Sequence, residues 1–538
     1  MRIIHDQNKS NDEQVGNRAE NLDEKSSKIK ESEIASIDKE KKSTADTPEE
    51  NKTGDVYKID DFIAGGGYGW YQRFVTFLAG MIWFTAAFQT MVLTIIGDFL
   101  ACDWEIYRWH IAMIVAVVFL CMSVGSPFFG YLGDNYGRKT AFVLYMLIQF
   151  GFGAGAAAAK GILSLTILMA FVGFSLGGFG QAVTYVCEFY PAKDRGMAGF
   201  YVAYYWNAGQ LLFILVSWGL MTAFNNWRWV MLAAALPTSI VLAGITWFPE
   251  SPRYYLVSQQ VEKAQEKLEV MARINKVELP KGRLKSYKKH ESKERGHFLN
   301  LFQAEHRTSV FLMWYIWFSV TFTYYAYVLL PPIIIRRGMT RLSEDMFADT
   351  HVARNNTSII NDSIFLCKKF SHQNYIDFLI TTAAEIPGII VYSYLMTYIK
   401  SKILLSSSCL LTMLLTFLML IDTERKNIIH VLIFVGRANI CGIIQMIYIM
   451  TTECFPTTLR ALALGSSMGI GKVGSAFAPF VIQVIMVKNG IAAICIIGLI
   501  LLFTAISAAC LPREMKGKAL KEITKEFKNT SDLNVNQK

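Results

Sequence analysis

The chain has 538 residues, of which 53% are hydrophobic and 18% are charged, and its mean hydropathy is +0.31. A soluble protein cannot bury so large an apolar fraction, so the composition excludes an ordinary soluble domain and predicts that a lipid bilayer covers much of the surface. The net charge of +10 does not indicate nucleic-acid binding, because the lysines and arginines cluster in loops between apolar runs, as a membrane topology signal does.

The first 72 residues are polar and contain no apolar run. A segment of this kind cannot bury a core, so residues 1–72 are predicted to form a disordered tail. No hydrophobic region follows the first methionine, which argues against a cleaved signal peptide. The first apolar helix is therefore expected to act as an uncleaved anchor.

Twelve apolar runs follow, each near the roughly 20 residues that a membrane-spanning helix needs. They lie near 74–99, 109–131, 140–159, 162–187, 198–222, 228–248, 309–333, 375–399, 403–422, 428–452, 461–487 and 490–511. Polar residues separate the sixth run from the seventh, and helical periodicity within them predicts short surface helices at 252–275. The predicted domains are a tail, two bundles of six helices joined by a basic linker, and a second tail, at 1–72, 73–248, 249–308, 309–512 and 513–538.

Basic residues in the short loops predict the orientation of the chain. They fall on one side of the membrane, which the positive-inside rule assigns to the cytoplasm together with both termini. The loop 334–374 then lies outside, and three Asn-x-Ser/Thr sequons make it a predicted glycosylation region, at Asn355, Asn356 and Asn361. Cys102 and Cys367 also fall outside the predicted helices, so a disulfide between them is an open alternative to two free thiols.

A glycine-rich motif follows the second apolar run: Gly130-Tyr-Leu-Gly-Asp134-Asn-Tyr-Gly137-Arg138-Lys139. Its glycines allow a sharp turn and a close backbone approach. Asp134 is interpreted as a helix cap or as the partner of a basic residue, and Arg138 and Lys139 as residues that hold the turn in the cytoplasm. The alternative is a simple basic turn without a gating role.

A charged sequence motif occurs once in each half of the chain. Glu188-Phe-Tyr-Pro-x-x-x-Arg195 recurs about half a chain later as Glu453-Cys-Phe-Pro-x-x-x-Arg460. Duplicated membrane halves are a common construction of secondary transporters. Each glutamate and arginine is interpreted as a latch at the cytoplasmic end of the helices, and a static ion pair is the alternative.

A second charged motif, Pro-Glu250-Ser-Pro-Arg253, ends the sixth apolar run and has a less similar counterpart after the twelfth run. These two charges are also predicted to take part in gating. The glycine-rich motif, in contrast, has no counterpart in the second half, where the chain reads Met-Thr-Tyr-Ile-Lys-Ser-Lys at 396–402. The gate in the second half is therefore predicted to be weaker.

The glycine-rich motif is typical of the major facilitator superfamily, and residues 55–520 resemble synaptic vesicle 2-related proteins. The resemblance rests on Cys102-Asp-Trp104, Trp314-x-x-Trp317, Asp377-x-x-x-Thr-Thr-x-x-Glu385-x-Pro-Gly and Thr458-x-Arg460-Ala-Leu-x-Leu-Gly. It implies an all-α membrane protein whose twelve transmembrane helices form two six-helix pseudo-symmetric halves. It also implies transport of a small organic solute by alternating access, in the plasma membrane or a vesicle membrane. The alternatives are a non-transporting vesicle protein, for which nucleotide binding is a family suggestion, and a sugar porter.

Polar residues inside apolar runs are the candidates for a substrate site. They comprise three charged side chains and several hydrogen-bonding ones: Glu385, Arg437, Lys472, Gln89, Gln181, Asn207, Gln210, Gln445, Tyr324 and Tyr325. A fixed cation in a low-dielectric cavity attracts anions, so Lys472 favours an organic anion or zwitterion. Relatives of the organic cation branch are expected to carry an acid at this point.

For each of these residues, structural packing is the alternative, including a buried ion pair between Glu385 and Arg437. Burial makes Glu385 the candidate for a co-transported proton. The chain contains no catalytic triad, zinc-site spacing or nucleotide-hydrolysing motif. We therefore predict neither an enzyme nor a bound cofactor or metal. The expected partners are the solute and the bilayer, without nucleic acid, and the expected state is a monomer.

Overall fold

The computed structural model describes residues 56–57, 59–66, 69–191, 195–279, 282–284, 301–303, 306–337, 372–421, 426–455 and 457–511. The chain divides into two compact units. The first, Met1–Val56 with Lys281–Arg283, lies almost wholly outside the described residues; the second, Tyr57–Pro280 with Leu284–Lys538, contains all the membrane helices. The three predicted sequons, Asn355, Asn356 and Asn361, lie outside the described residues.

Helix α1 (Ile59–Gly66) precedes six spans in the first half of the chain. These are α2 (Trp70–Asp103), α3 (Arg108–Tyr136), α4 (Arg138–Ala156), α5 (Ile162–Leu176) with α6 (Gln181–Cys187), α7 (Arg195–Phe224), and α8 (Trp227–Ala243) with the 3₁₀ turn Gly244–Trp247. The linker then forms two short helices, α9 (Pro252–Val257) and α10 (Val261–Asn275). The prediction of surface helices at 252–275 is therefore confirmed.

The second half contributes the remaining long helices. They are α11 (Arg307–Arg337), α12 (His372–Ala383) with α13 (Glu385–Tyr398), α14 (Ser401–Leu418), α15 (Lys426–Cys454), α16 (Thr457–Pro479) continued by a π-helical turn (Phe480–Ile485) and α17 (Met486–Lys488), and α18 (Gly490–Ala509). Two-residue strands, β1 (Val56–Tyr57) and β2 (Arg283–Leu284), pair with each other.

Ten of the spans in the described part of the chain are long and apolar enough to cross a membrane. Helices α4 and α11 complete the predicted set of twelve. The first begins with two basic residues and the second carries many hydroxyl and aromatic side chains, which lowers their mean hydropathy. Side chains on the outside of the spans are largely apolar and exposed, as expected for surfaces that face lipid.

Two segments differ from the disordered tail predicted for residues 1–72, because they form α1 (Ile59–Gly66) and the start of α2. Helix α2 begins at Trp70, and the side chain of Asn275, the last residue of α10, accepts a hydrogen bond from the backbone N–H of Tyr71 at 2.9 Å. Asn275 also donates to Gln72 at 2.8 Å. A carbonyl oxygen from the linker thus satisfies one of the N–H groups that a helix start leaves unpaired. The linker therefore docks against the beginning of the first membrane helix.

Small residues allow close helix contacts in both halves of the chain. Gly173 on α5 and Gly177, directly after it, face the backbone of α3 at Val118 and Ser126, where a β-carbon would clash. On α16, a β-carbon at Gly474 would clash in the same way with the backbone of α11 at Phe318. The missing side chains therefore let these helices approach closely.

Candidate substrate cavity and charged gate

A cavity lies among six membrane helices, in the middle of the bundle. Its walls come from α2, the turn between α5 and α6, α7, α11, α15 and α16. The space open to the centre of a water-sized molecule is about 50 Å³, enough for a few waters. Its lining consists of Trp83, Phe179, Ala203, Trp206, Asn207, Trp317, Thr321, Tyr324, Tyr325, Cys441, Ile444, Gln445, Tyr448 and Lys472.

Aromatic rings form much of the lining. Trp83 lies edge-on to Phe179, with ring centroids 5.2 Å apart, and Phe179 stacks on Trp206 at 5.5 Å. On the other side, Trp317 and Tyr448 form an edge-to-face pair at 4.7 Å. Such walls favour a flat or apolar body in the occupant, while a few polar groups set its orientation.

A break in the fourth span positions this wall. Residues 177–180 form turns between α5 and α6, where backbone hydrogen bonds span three residues instead of the four of an α-helix. The indole N–H of Trp83 donates to the carbonyl oxygen of Phe179 at 3.1 Å. The break therefore turns Phe179 into the cavity, and Trp83 gives the Phe179 carbonyl oxygen a second hydrogen bond beside that from the backbone N–H of Ala182.

Lys472 is the charged residue that lines the cavity. Its side chain is 7% exposed, and its ammonium lies 5.1 Å from the centroid of the Phe179 ring. Among the residues that the structure describes, no carboxylate forms an ion pair with it. A buried cation without a counter-ion is costly unless a partner arrives.

Glu385 and Arg437 lie behind the cavity wall and form an ion pair. Both are 0% exposed, and Arg437 Nε donates to Glu385 Oε1 at 2.9 Å. The hydroxyl of Tyr324 donates to the same carboxylate at 3.2 and 3.3 Å, and the thiol of Cys441 contacts it at 3.7 Å. The buried ion pair that the sequence left open as an alternative is therefore present.

Gln210 completes this cluster. With its amide turned so that the nitrogen faces Glu385, the nitrogen donates to both carboxylate oxygens at 3.2 and 3.3 Å. The amide oxygen then accepts a hydrogen bond from Trp206, while the single hydroxyl proton of Tyr324 stays with Glu385. The cluster thus joins α7 in the first half with α11, α13 and α15 in the second half.

The predicted substrate residues lie in four places. Tyr324, Tyr325, Gln445 and Lys472 line the cavity, whereas Glu385, Arg437 and Gln210 stand behind its wall. Gln89 lines a smaller cavity of about 20 Å³ that also borders Tyr325. Gln181 lies elsewhere, where it accepts a hydrogen bond from Arg138.

Arg138 centres a cluster of residues at the end of the bundle where α3 passes into α4, called the charged gate after the role that the sequence predicts for it. It pairs with Asp134 at 2.6 Å and with Glu188 at 3.0 Å. The side chain of Arg195, the partner predicted for Glu188, lies outside the described residues, as do those of Glu453 and Arg460. Among the described residues, Glu188 pairs with Arg138 of the glycine-rich motif.

Glu250 fixes the start of α4 within the same gate. Its carboxylate accepts the backbone N–H groups of Arg138 at 2.9 Å and Lys139 at 3.1 Å. Burial raises the pKa of this carboxyl, and the backbone donors offset only part of that shift. Gly137 precedes Arg138 with a φ of +97°, and a β-carbon there would lie 2.5 Å from Glu250 Oε2.

Other predicted gate residues surround these contacts. Arg253 pairs with Asp60 of α1 and donates to the carbonyl oxygen of Glu188 at 3.3 Å. A β-carbon at Gly130 would lie 3.2 Å from the amide of Gln181. The amine of Lys139 reaches the carbonyl oxygen of Thr246 at 3.5 Å. The gate thus ties α1 and the linker to the first six helices.

The opposite end of the bundle carries an aromatic contact between the halves. Trp218 on α7 donates its indole N–H to His372 Nδ1 on α12 at 2.8 Å. The Trp218 ring also stacks on Tyr375, with an angle of 4° between the planes. Cys102 at this end is disulfide-bonded, while Cys367 lies outside the described residues.

The sequence did not reveal the aromatic cavity wall. Trp317 served only as a mark of the resemblance, and no site role was predicted for Trp83, Phe179, Trp206 or Tyr448. Tryptophan usually concentrates near the ends of membrane helices. Tryptophans in the middle of apolar runs, such as Trp83, Trp206 and Trp317, were therefore the signal that could have found the wall.

Twelve membrane helices in two halves around a central cavity define a protein of the major facilitator class. The family model "Sugar (and other) transporter" matches residues 73–527, and the chain therefore belongs to this family. It is 30% identical to the synaptic vesicle 2-related protein of Rattus norvegicus over 88% of this chain and 84% of the relative. It is 29% identical to the Xenopus laevis protein of that name, over 91% and 87%. The resemblance to synaptic vesicle 2-related proteins is thereby confirmed.

Solved structures agree on the fold. The xylose transporter XylE from E. coli in a partially occluded inward open conformation has a TM-score of 0.59 and 15% identity. That likeness covers 84% of this chain and 100% of XylE. The proton:xylose symporter XylE bound to 6-bromo-6-deoxy-D-glucose has a TM-score of 0.58 at the same identity and covers 84% and 98%. The predicted all-α fold of two six-helix halves is confirmed.

Proposed function

We propose that the protein is a secondary transporter that moves a small organic anion or zwitterion by alternating access, and that Lys472 binds the negative group. The observation that carries this proposal is the ammonium of Lys472 in an aromatic cavity, where no described carboxylate forms an ion pair with it. Opposite charges 4 Å apart attract by about 4 kcal/mol at an effective dielectric constant near 20. The aromatic walls supply contact area for a flat organic body.

The surroundings of the cavity support the choice of solute. The carboxylate of Glu385 is already held by Arg437, so it does not offset the charge of Lys472. Asn207 and Gln445 add neutral hydrogen-bonding groups to the lining. A neutral sugar would leave Lys472 without a counter-ion, which argues for an anion over a sugar.

We further propose the topology and setting of the protein. The charged gate and both termini face the cytoplasm of a plasma membrane or vesicle membrane, and the chain acts as a monomer without enzymatic activity. The six-helix bundles at 73–248 and 309–512 rock about the cavity, and 249–308 links them. The basic residues of the gate support this orientation.

The test is the variant Lys472→Gln in purified, full-length protein. Naphthalene-1-sulfonate is the probe, because it is aromatic and stays ionised at every pH of interest. Loss of the cation should weaken sulfonate binding at least about tenfold, which corresponds to ~1.4 kcal/mol. Calorimetry measures binding, and uptake into proteoliposomes measures transport.

The matched control is Lys488→Gln, which removes an exposed lysine at the end of the same span. This variant should bind and transport the sulfonate as the unmodified protein does. Equal sulfonate affinity in both variants would contradict the role of Lys472. Binding of xylose to the unmodified protein in place of the sulfonate would instead indicate a sugar porter.

A second candidate function is binding without transport. It is favoured by residues 396–402, which lack the aspartate, glycine and arginine that the first half has at the equivalent turn. Sulfonate binding by calorimetry without sulfonate flux in proteoliposomes would support this candidate. Flux that Lys472→Gln abolishes would exclude it.

A further inference from the structure

We propose that His372 is a proton-binding site at the end of the bundle away from the charged gate, and that its protonation releases the contact between the two halves there. Trp218 comes from α7 in the first half, and His372 begins α12 in the second half. A proton on His372 therefore acts on the junction itself. No solute takes part in this step, so it does not depend on what the central cavity binds.

The hydrogen bond between Trp218 and His372 requires a neutral imidazole. The indole N–H of Trp218 can only donate, and it lies 2.8 Å from Nδ1 of His372. A neutral imidazole offers one bare nitrogen as an acceptor, whereas both nitrogens of a protonated imidazole carry hydrogen. Protonation of His372 therefore removes the acceptor and places two N–H groups against each other.

The orientation of the two rings strengthens this effect. The ring centroids of Trp218 and His372 lie 5.8 Å apart, with an angle of 52° between the planes. Nδ1 of His372 meets the N–H edge of the indole, and the edge of an aromatic ring is its positive part. A protonated His372 is therefore repelled from Trp218 in this arrangement.

His372 can exchange a proton with the medium. It is exposed at the very start of α12, and its hydrogen bond with Trp218 is exposed as well. Histidine is the side chain that ordinarily changes its charge between pH 5 and pH 8. A modest change of pH on this side of the membrane therefore reaches the contact directly.

Tyr375 holds the part of the contact that a proton leaves in place. Its ring stacks on Trp218 with the centroids 5.9 Å apart and an angle of 4° between the planes. Protonation of His372 thus weakens the junction without removing it. The loss of one net hydrogen bond changes the ratio of two conformations about threefold to tenfold, and acid on this side favours the conformation that is open at this end.

The elements that pack on α12 are α7, α11, α13 and α15. From α7, residues 196–224 contain no charged side chain and no histidine. On α12 itself, the titratable groups near His372 are Tyr375 and Asp377. Asp377 accepts a hydrogen bond from Gln373 at 3.0 Å, and it is the one carboxylate of this helix whose titration has to be separated from that of His372.

The neighbouring ends of α11 and α15 carry basic groups. These are Arg336, Arg337, Lys426 and His430. The side chains of Arg336, Arg337 and Lys426 lie outside the described residues. Helix α13 has one charged residue, Glu385, which is paired with Arg437. His430 is therefore the second histidine whose titration has to be separated from that of His372.

Hydrogen exchange of the purified, full-length protein at about pH 5 and about pH 8 tests the proposal. Exchange in an unstructured peptide corrects for the change of the chemical exchange rate with pH. In the unmodified protein, acid should increase exchange at the end of α7 and the start of α12 about threefold to tenfold. Equal protection at the two pH values would overturn the proposal. Because no sulfonate is present, that failure would leave the proposed anion transport untouched.

Two variants of His372 separate the acceptor from the charge. His372→Asn places a carbonyl oxygen near the position of Nδ1 and does not titrate, so both segments should stay protected at both pH values. His372→Leu has no acceptor, so both segments should exchange rapidly at both pH values. Dependence on pH that survives in either variant would overturn the proposal.

The matched control is His430→Asn, which changes a histidine at the same end of the bundle. Asp377→Asn is the control for the carboxylate of α12. Both variants should keep the dependence of exchange on pH that the unmodified protein has. Loss of this dependence in either variant would assign the proton to another group and would contradict the role of His372.

Trp218→Phe keeps the proposal testable if the His372 variants do not fold. It retains a ring that can stack on Tyr375 and loses the N–H that donates to His372. Exchange at the two segments should then be raised and should no longer depend on pH. A role of Trp218 in packing alone would leave the dependence on pH intact, and that result would overturn the proposal.

Discussion

At the scale of single residues, the charged gate shows how a turn depends on one glycine. Gly137 has a φ of +97°, and its missing side chain leaves room for the Glu250 carboxylate that holds the start of α4. Backbone strain and a steric clash would both follow from any side chain at this position. The glycine at position 137 is therefore explained by the Glu250 carboxylate, which belongs to the linker and lies outside the glycine-rich motif.

We predict that Gly137→Ala lowers the free energy of unfolding by about 1–3 kcal/mol, because alanine strains this backbone and displaces Glu250. Thermal unfolding of the purified protein measures the change. Gly151→Ala is the control, since it lies within the same helix and a β-carbon there meets nothing within 4 Å. An equal loss of unfolding free energy in both variants would show that the turn does not require glycine at position 137.

At the scale of helices, breaks in two spans position the candidate site. The sequence predicts a single run at 162–187 and another at 375–399, whereas the structure interrupts both. The first break turns Phe179 towards the cavity, and the second places Glu385 in the first turn of α13. Irregular backbone inside a membrane persists where it borders a cavity and where other groups satisfy its carbonyls.

We predict that Trp83→Phe destabilises the break in the fourth span. Phenylalanine keeps the ring but loses the N–H that donates to the carbonyl oxygen of Phe179. The Phe179 oxygen keeps its hydrogen bond from the backbone N–H of Ala182, so the variant loses one net hydrogen bond, about 0.5–1.5 kcal/mol, which thermal unfolding detects. Trp70→Phe, at a site that is 71% exposed on the same helix, should have little effect. A larger loss at Trp70 than at Trp83 would contradict the role of this hydrogen bond.

At the scale of the whole membrane domain, the two halves meet in different ways along their length. In the middle, Ser123 donates to the carbonyl oxygen of Gly469 at 2.8 Å, and the Glu385 cluster joins four helices. At the end away from the charged gate, Trp218 contacts His372 and Tyr375. These contacts hold the halves together at that end in the conformation described.

We predict that Trp218→Ala shifts the balance of conformations towards one that is open at this end. Loss of the stacked ring and the indole hydrogen bond removes about 1–2 kcal/mol from the contact between halves. Hydrogen exchange at the ends of α7 and α12 should then increase. Trp229→Ala is the control, because this tryptophan is 49% exposed and packs on Phe224 within its own half. Equal exchange in both variants would contradict a role for Trp218 between the halves.

The amino-acid sequence determined the outline of the protein. Apolar runs of membrane length, a repeated charged motif and the glycine-rich motif predict twelve helices in two halves. Each of them is a local sequence pattern that the bilayer or a turn requires. It also determined that Lys472 lies inside an apolar run, where a charge calls for a functional explanation.

Only the tertiary structure decided which side chains meet. A helix that is apolar on all sides does not reveal which face it turns inward, so the sequence could not separate Gln445, in the cavity, from Gln181, at the gate. The aromatic wall and the partners of Glu385 come from helices far apart in the chain. Their meeting depends on how each helix is rotated and where it breaks, and packing between helices sets both.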